Sequence, residues 1–391
     1  MQLRVLILST LFPDMTRPNF GVFVERQARE LASRSETDVT VIAPIGLPPW
    51  PLNRSRHYAP LRHLPTREKW KDLTVYRPRF PILPKIGGRM NVETMYRAIL
   101  PLVRRLHEHQ PFDVIDASFF YPDGPVAQRL SRALGVPYSV KARGADIHHW
   151  GRHWSTARAV RSAGRGAAGL LAVSQAMRRS MAKLGMNADA IRVHYTGVDL
   201  DRFTLSDRAA AKAQFGFDGP VILAVGALIP RKGQDLLIQT LPRIPDATLV
   251  LAGHGPERHA YDALAQKLGV ADRVGFLGAV LHEQLPMLYA AADVMALPSS
   301  SEGLANAWVE ALACGTPVVT CDVGGARELI DRPEAGHIVA RDADAIATAI
   351  RAILDSPPDP AAVRETALRF TWEANGDALL AHLRACAATS V

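Results

Sequence analysis

Cysteine is nearly absent: Cys314, Cys321 and Cys386 are the whole complement of 391 residues, and no two form a C-x-x-C pair. So sparse and odd a count excludes a disulfide-stapled scaffold and a paired-cysteine metal site, and it fits a reducing compartment. Missing too is any apolar run near the ~20 residues that cross a bilayer as a helix. The apolar opening MQLRVLILSTLFPD is short, carries Arg4 and ends in Pro-Asp without a small-residue cleavage site. It reads as a buried first strand, not a signal peptide, and the expectation is a cytoplasmic protein. No low-complexity tract and no repeat of solenoid length is visible, which argues against disordered and repeat classes. No G-x-G-x-x-G follows the first strand, where STLFPDMTRPNFG stands instead, so a nicotinamide-dependent dehydrogenase is disfavoured.

Apolar residues make up 48% of the chain, enough for two cores, and the length predicts two domains. The net charge of +8 is unevenly spread. Between Arg54 and Arg89 stand ten Lys/Arg against Glu68 and Asp72, so this segment carries the whole excess. Trp50, Tyr58, Trp70, Tyr76 and Phe80 lie within or beside it. A solvated loop with scattered basic residues fits this composition. So does a surface facing anions or an anionic membrane, which would place the protein peripherally on the inner face of a membrane. Nucleic acid is not an expected partner.

Short apolar segments alternate with amphipathic ones. LRVLILS, DVTVIAP, FDVIDAS, YSVKARG, AAGLLAVS and AIRVHYTGV read as strands, with helices over GVFVERQARELASR and 125–134. A second series begins with PVILAVG and continues through ATLVLAG, RVGFLG, ADVMALPS and PVVTCDVGG, separated by helices over 234–241, 257–268 and 283–291. Apolar strands alternating with helices imply parallel sheets covered on both faces, hence an α/β protein with two doubly wound halves. The seam falls near TGVDLDRF, which predicts domains at 1–196 and 197–370, with a final helix over 371–391 crossing back to the first. Ligands of such sheets bind beyond the strand carboxyl ends.

The stretch SEGLANAWVEALACGTPVV puts Glu302 and Glu310 eight positions apart around an apolar run. If a helix opens at Ser301, its mouth attracts phosphate and its two carboxylates lie about 12 Å apart along the axis. Such spacing suits a nucleoside diphosphate sugar, whose hydroxyl-rich ends flank a diphosphate. The bland alternative makes Glu302 a cap and Glu310 a surface residue. In VGALIPRKGQDLLI, Arg231 and Lys232 precede a helix and can clamp a diphosphate. Gly21 stands just ahead of another helix, where backbone can approach a phosphate. KARGADIH ends a strand with Arg143, Gly144 and Asp146. GHGPE, a further glycine loop after a strand, is weak evidence by itself.

With SEGLANAWVEALACGTPVV, DVGGARELI, VGALIPRKG, GHGPE, GVDLDRF and RGADI together, the chain resembles the retaining glycosyltransferases of family 4, with the GT-B fold of two Rossmann-like domains facing across a cleft. The opening ILSTLFPDMTRPNFGVFVERQ and YPDGPVAQRL are similar to members acting in exopolysaccharide or cell-wall glycan assembly. The resemblance covers nearly the whole chain. It implies that Glu302 contacts donor-sugar hydroxyls and that Gly303 and Leu304 offer backbone N–H groups to the diphosphate. It also implies that Glu310 holds the ribose, Lys232 the diphosphate and the Val280 backbone the nucleobase. A catalytic set of Glu302, Arg143 and Asp146 follows, with a UDP- or GDP-type sugar as donor, a glycan or lipid-linked acceptor, and no metal or other cofactor. Two positions depart from the pattern. Ala227 stands where many relatives have arginine, a charge Arg231 can supply, and Arg143 where many have histidine. A permanently protonated arginine suits charge stabilisation better than proton transfer. Asp199-Leu200-Asp201 reads as part of the seam motif, Asp342-Ala343-Asp344 as a helix start, and His148, His149 and His153 lack the spacing of a metal site. A nucleotide-sugar epimerase of the same fold and a non-catalytic carbohydrate binder are the alternatives.

Overall fold

The structure, a computed structural model, describes residues 2–83 and 88–389; Lys85 and the side chain of Arg89, both counted in the basic segment, lie outside the described residues. The chain divides into two compact units, Met1–Gly197 with Trp372–Val391, and Val198–Thr371.

Unit 1 contains strands β1 (Leu3–Leu8), β2 (Thr37–Ile42), β3 (Ile45–Leu47), β4 (Arg67–Trp70), β5 (Leu73–Tyr76), β6 (Arg79–Pro81), β7 (Val114–Ala117), β8 (Tyr138–Ala142), β9 (Gly169–Ala172) and β10 (Ile191–Val193). Its helices include α1 (Val22–Ala32), α2 (Gly88–His109), α3 (Asp123–Leu134), α4 (Ala157–Gly166) and α5 (Gln175–Lys183). The main sheet runs β10-β9-β8-β7-β1-β2-β5-β4, parallel except for the antiparallel β4–β5 pair. Central strands are buried along their length, as the apolar runs of β1 and β9 require. On α1, Val24, Ala28 and Leu31 recur at helical spacing and pack onto the sheet. From β1 the chain winds to β2 on one side, while β7 through β10 wind away on the other, so the order reverses between β1 and β7.

The basic segment is only partly loop: 55–66 are turns and a short 3₁₀ helix, while 67–81 form β4, β5 and β6. Leu73, Val75 and Arg77 alternate inward along and just past β5, whose parallel pairing with β2 extends the sheet. β3 pairs with β6 in a separate ribbon, over a small cluster of Ile45, Leu61 and Leu64. Counting charge had hidden this period-two pattern.

Unit 2 contains β11 (Val221–Val225), β12 (Thr248–Ala252), β13 (Val274–Gly278), β14 (Val294–Leu297), β15 (Val318–Cys321) and β16 (Gly336–Val339) in the parallel order β13-β12-β11-β14-β15-β16. Its helices are α6 (Arg208–Phe215), α7 (Gln234–Thr240), α8 (Arg258–Lys267), α9 (Leu285–Ala291), α10 (Asn306–Ala313), α11 (Ala326–Leu329), α12 (Ala343–Asp355) and α13 (Pro360–Glu365). Helix α14 (Trp372–Ala387) then belongs to unit 1 and packs on α1. In unit 2, Leu237 and Ile238 of α7 and Ile346 and Ile350 of α12 close over Ile222, Leu249 and Val294. Each such side chain contributes about 1.5–3 kcal/mol by leaving water. The order reverses between β11 and β14, since β11 leads to β12 on one side and β14 to β15 on the other. Strand β16 was not anticipated, because Gly336-His337-Ile338-Val339 is too short and mixed to show a period. No described helix is long and apolar enough to cross a membrane.

Candidate active site

In unit 2 the loops that follow β11 and β14 leave the sheet on either side of its reversal point. The β11 loop carries Arg231 and Lys232, and the β14 loop carries Ser301 and Glu302. Lys232 Nζ donates to Glu302 Oε1 at 2.7 Å, and Arg231 Nη1 lies 3.1 Å from the same oxygen. The loops are also tied through backbone, with Ser300 N donating to Arg231 O at 2.8 Å and Arg231 Nη1 to Ser301 O. Seventy residues separate Lys232 from Glu302, and only the β11–β14 pairing brings them together. Arg231 thus stands with Lys232, in the same loop that holds exposed Ala227 in place of the expected arginine.

Glu302 is not helical. Helix α10 starts at Asn306, with Ala305 as its cap, so Ser301–Leu304 form a loop and the helical spacing expected from Glu302 to Glu310 does not apply. The loop is pinned from below. Gly325 N donates to Gly303 O at 2.7 Å, and a Cβ on Gly324, whose φ is +53°, would meet that oxygen at 2.4 Å. Only glycine fits there, which explains the DVGG sequence. Leu304 is buried and anchors the loop ahead of α10.

Glu310, in the last turn of α10, forms a second cluster. Its Oε1 lies 2.9 Å from His282 Nε2, and Tyr289 OH donates to Oε2 at 3.1 Å. Phe203 packs edge-on against His282, with ring centroids 5.2 Å apart. Burial and the adjacent carboxylate push the Tyr289 hydroxyl well above its ordinary pKa, so it remains a donor. His282 and Tyr289 were missed in the sequence, where neither stands in a recognisable motif. Half-buried Val280 follows β13, two residues before His282.

In unit 1, Arg143 and Asp146 lie just beyond β8. Arg143 Nε donates to Ser118 O at 2.7 Å, Nη2 to Gln27 Oε1 at 3.2 Å, and its guanidinium sits 4.7 Å from the Phe23 ring centroid. Burial lowers its pKa to about 10, which still leaves it charged at neutral pH. Asp146 is fully buried, and its carboxylate accepts backbone N–H groups from Phe120, Arg143, Gly144 and Ile147. Those bonds occupy the carboxylate, so it shapes the loop that holds Arg143 and is a positioning residue. Burial raises its pKa against the opposing effect of these hydrogen bonds.

Beneath Arg143 runs a buried chain of polar groups. Lys141 Nζ donates to Gln27 Oε1 at 3.1 Å and to His194 Nδ1 at 2.7 Å, while His194 Nε2 donates to Asn375 O on α14 at 2.8 Å. Burial and the nearby Arg143 depress the Lys141 pKa, and burial and Lys141 depress that of His194. Gln27 bridges Lys141 and Arg143. Its place on the buried face of α1, amid apolar neighbours, was the overlooked signal. Gly21 has a φ of +72°, and a Cβ there would lie 2.6 Å from the Leu11 carbonyl. Its glycine character is therefore required by the chain's own packing at the start of α1.

The basic segment is partly consumed internally. Buried Arg77 pairs with Glu68 and donates to Pro13 O at 2.7 Å. Lys71 Nζ binds both oxygens of buried Glu25 at 2.9 and 3.0 Å, and Arg79 donates to backbone carbonyls of Arg62 and Leu64. Arg54, Arg56, Arg62, Arg67 and Lys69 remain exposed, near exposed Trp50 and Leu52. Of the two D-x-D strings, Asp342 caps α12 by accepting from Ala345 N at 2.9 Å, and Asp199 accepts from Arg202 N at 3.2 Å. His153 Nδ1 lies 2.9 Å from Ser155 Oγ, and His148, His149 and His153 form no metal-ligand group.

A Glycosyltransferase Family 4 model matches residues 21–202, and a model of glycosyl transferases group 1 matches residues 207–370. The GDP-mannose-dependent alpha-(1-6)-phosphatidylinositol monomannoside mannosyltransferase of Mycolicibacterium smegmatis is 37% identical over 341 residues, covering 78% of this chain and 88% of that protein. The putative teichuronic acid biosynthesis glycosyltransferase TuaC of Bacillus subtilis is 29% identical over 367 residues, 89% of this chain and 88% of that one. Among solved structures, sucrose-phosphate synthase from Thermosynechococcus elongatus superposes with a TM-score of 0.81 at 22% identity, covering 98% of both chains. Two doubly wound units, each matched by its own half of one family, make the chain a GT-B protein belonging to glycosyltransferase family 4.

Proposed function

We propose that this glycosyltransferase moves a hexose-type sugar from a nucleoside diphosphate sugar to a glycan or lipid-linked acceptor in cell-envelope polysaccharide assembly. It does so with retention of anomeric configuration and without a bound metal. The observation that carries the reading is the meeting of Lys232, Arg231 and Glu302 at the β11/β14 reversal point. An arriving diphosphate is the natural occupant of the two cations, and it releases the Glu302 carboxylate to accept sugar hydroxyls. As the leaving diphosphate gains charge, Lys232 and Arg231 neutralise it, a task a divalent cation performs in other sites. Glu310 keeps unused lone pairs beyond its bonds to His282 and Tyr289, enough to accept the vicinal hydroxyls of a ribose. Gly303 and Leu304 would meet the diphosphate through backbone, and Val280 the base. On this reading Arg143 has a charge-stabilising role, with its guanidinium held in place by Gln27, Ser118 and the Asp146 loop. The mannosyltransferase relative puts GDP-mannose first among donors to test, with UDP-sugars beside it.

Release of nucleoside diphosphate from a donor set, with and without EDTA, tests the reaction, and proton NMR of the product tests its stereochemistry. An absolute need for Mg²⁺ or Mn²⁺, or an inverted anomeric centre, overturns the corresponding part. The exposed cations of 54–69 support a further element, peripheral docking on anionic lipid. Each basic residue near such a surface contributes about 1 kcal/mol.

A further inference from the structure

A second concentration of positive charge lies outside the basic segment and outside the donor cluster. From Gly124 to Gly197 twelve Lys/Arg face only Asp146 and Asp189. Five of these are the arginines of α3 and α4: Arg129 and Arg132 on the first, Arg158, Arg161 and Arg165 on the second. Spacings of three and four residues hold each set on one helix face. Two adjoining cavities of about 420 and 610 Å³ open there and share Gln128, Arg132, Arg158 and Ser162 in their walls. The helices are bridged beside them: Gln128 Nε2 donates to Ser162 O at 2.9 Å, and Ser162 Oγ to Gln128 Oε1 at 3.2 Å.

The charges are incompletely answered. Arg129 pairs with Glu93, which Arg97 already shares, Arg161 Nε donates to Ala157 O, and Arg165 Nε to Gly185 O. Among the described residues, Arg132 and Arg158 form no ion pair, although both are exposed. A second and independent sign comes from Tyr121, which lines the 420 Å³ cavity. Its side chain is 4% exposed, stacks near Trp150 with centroids 5.0 Å apart, and leaves its hydroxyl without a hydrogen-bond partner. Burial raises that hydroxyl to about 12, so it keeps its proton and can only gain by donating to an acceptor. Buried polar groups are otherwise almost always paired.

We infer that the α3–α4 groove is a phosphate-binding site, built from residues other than those of the donor cluster, which takes a phosphoric ester of at least two negative charges. Guanidinium forks match phosphoryl oxygens two at a time. Arg132 and Arg158 hold the phosphoryl group, Gln128 and Ser162 border the attached alcohol, and the Tyr121 hydroxyl, which solvent does not reach in the unliganded chain, donates to a phosphoryl oxygen after a small shift of its ring. The ester is carried either by a soluble saccharide phosphate or by a lipid headgroup.

The test uses the full chain carrying Arg231→Ala and Lys232→Ala, so that the donor cluster adds nothing. Inorganic pyrophosphate titrated at low salt should bind at one equivalent and weaken steeply as salt rises. Adding Arg132→Gln with Arg158→Gln should weaken it at least tenfold, and adding Tyr121→Phe instead, which keeps the ring packing, several-fold. Arginine-to-lysine replacements at 132 and 158 should restore part of the loss. Flotation with phosphatidylglycerol against phosphatidylcholine vesicles identifies the source. Recovery that depends on Arg132 and Arg158 assigns a lipid headgroup, and pyrophosphate binding without that dependence assigns a soluble ester. Absence of pyrophosphate binding at low salt, or binding indifferent to both the paired glutamine and the Tyr121→Phe changes, overturns the site.

Discussion

Exchanging Glu302 for glutamine keeps the shape of the side chain and removes its charge. In the unliganded chain its Oε1 takes Lys232 at 2.7 Å and Arg231 at 3.1 Å, with the Lys232 and Glu302 side chains only 14% and 10% exposed. A charge-assisted hydrogen bond so shielded contributes about 1.5–3 kcal/mol. A diphosphate that takes over both cations must first displace this carboxylate, so the ion pair subtracts from nucleotide affinity. Removing the competitor should return about 1.4 kcal/mol, which is roughly tenfold tighter binding of the free nucleoside diphosphate. Turnover should move the other way. The reacting sugar loses a charged acceptor for its hydroxyls, and a loss of about 1.5–3 kcal/mol at the transition state lowers kcat by roughly 10- to 100-fold. Calorimetric titration with GDP and UDP, beside nucleoside diphosphate release at saturating donor, reads both effects. Weaker nucleotide binding by Glu302→Gln, or a wild-type kcat, would refute the idea that Glu302 alternates between cations and sugar.

Lys232→Ala leaves Glu302 still paired with Arg231, so melting should shift little while kcat/KM drops by about 10²–10³; a large loss of stability would instead mark Lys232 as structural. Glu310→Gln should raise the donor KM by about tenfold with kcat less affected, because the ribose contact proposed for Glu310 would be made in ground and transition states alike. Equal losses in kcat and kcat/KM would move Glu310 to the reacting centre. Asp123 offers a pH test in unit 1: burial raises its carboxyl from 3.8 to about 7, against a hydrogen bond from Thr10 N. A raised folded-state pKa means stability that is full below the unfolded value and lost as pH rises through about 7. Asp123→Asn removes that decline, so its melting temperature should fall less than the wild type's between pH 5 and pH 8, and identical shifts would count against it. Neutralising Arg54, Arg56, Arg62 and Lys69 should reduce flotation with anionic vesicles, whereas neutralising Lys71 should chiefly leave buried Glu25 with only the 3.8 Å approach of Arg29 and lower stability. Equal recovery on neutral and anionic vesicles would remove the docking element.

Local signals in this chain were legible wherever the physics is local. The apolar runs of β1, β9, β11 and β14 need burial on both faces, and helices such as α1 and α12 repeat their apolar residues at helical spacing. Glycine at 324 answers a backbone conformation and an approach to Gly303 that no other residue tolerates, so DVGG could be recognised without a structure. The extent of α10 was misjudged, because Glu302-Gly303-Leu304 continues an apolar run whose helical start is decided by the packing of the loop onto Gly324 and Gly325. Charge counting over the basic segment overlooked the alternation of Leu73, Val75 and Arg77, and it assigned to solvent an Arg77 that the fold buries against Glu68.

Composition, period and turn chemistry therefore determined the α/β class and the two wound halves, and the family resemblance picked out the SEGLANAWVEALACGTPVV and VGALIPRKG segments. Sheet order decided the rest. It joins Lys232 to Glu302 across seventy residues, brings His282 and Tyr289 to Glu310, threads Gln27, Lys141 and His194 beneath Arg143, and sets the arginines of α3 beside those of α4. Nothing within a few residues of any of these side chains encodes its partner. The pairing free energy comes from burying whole strands and helix faces, and the polar contacts take the neighbours that this burial supplies.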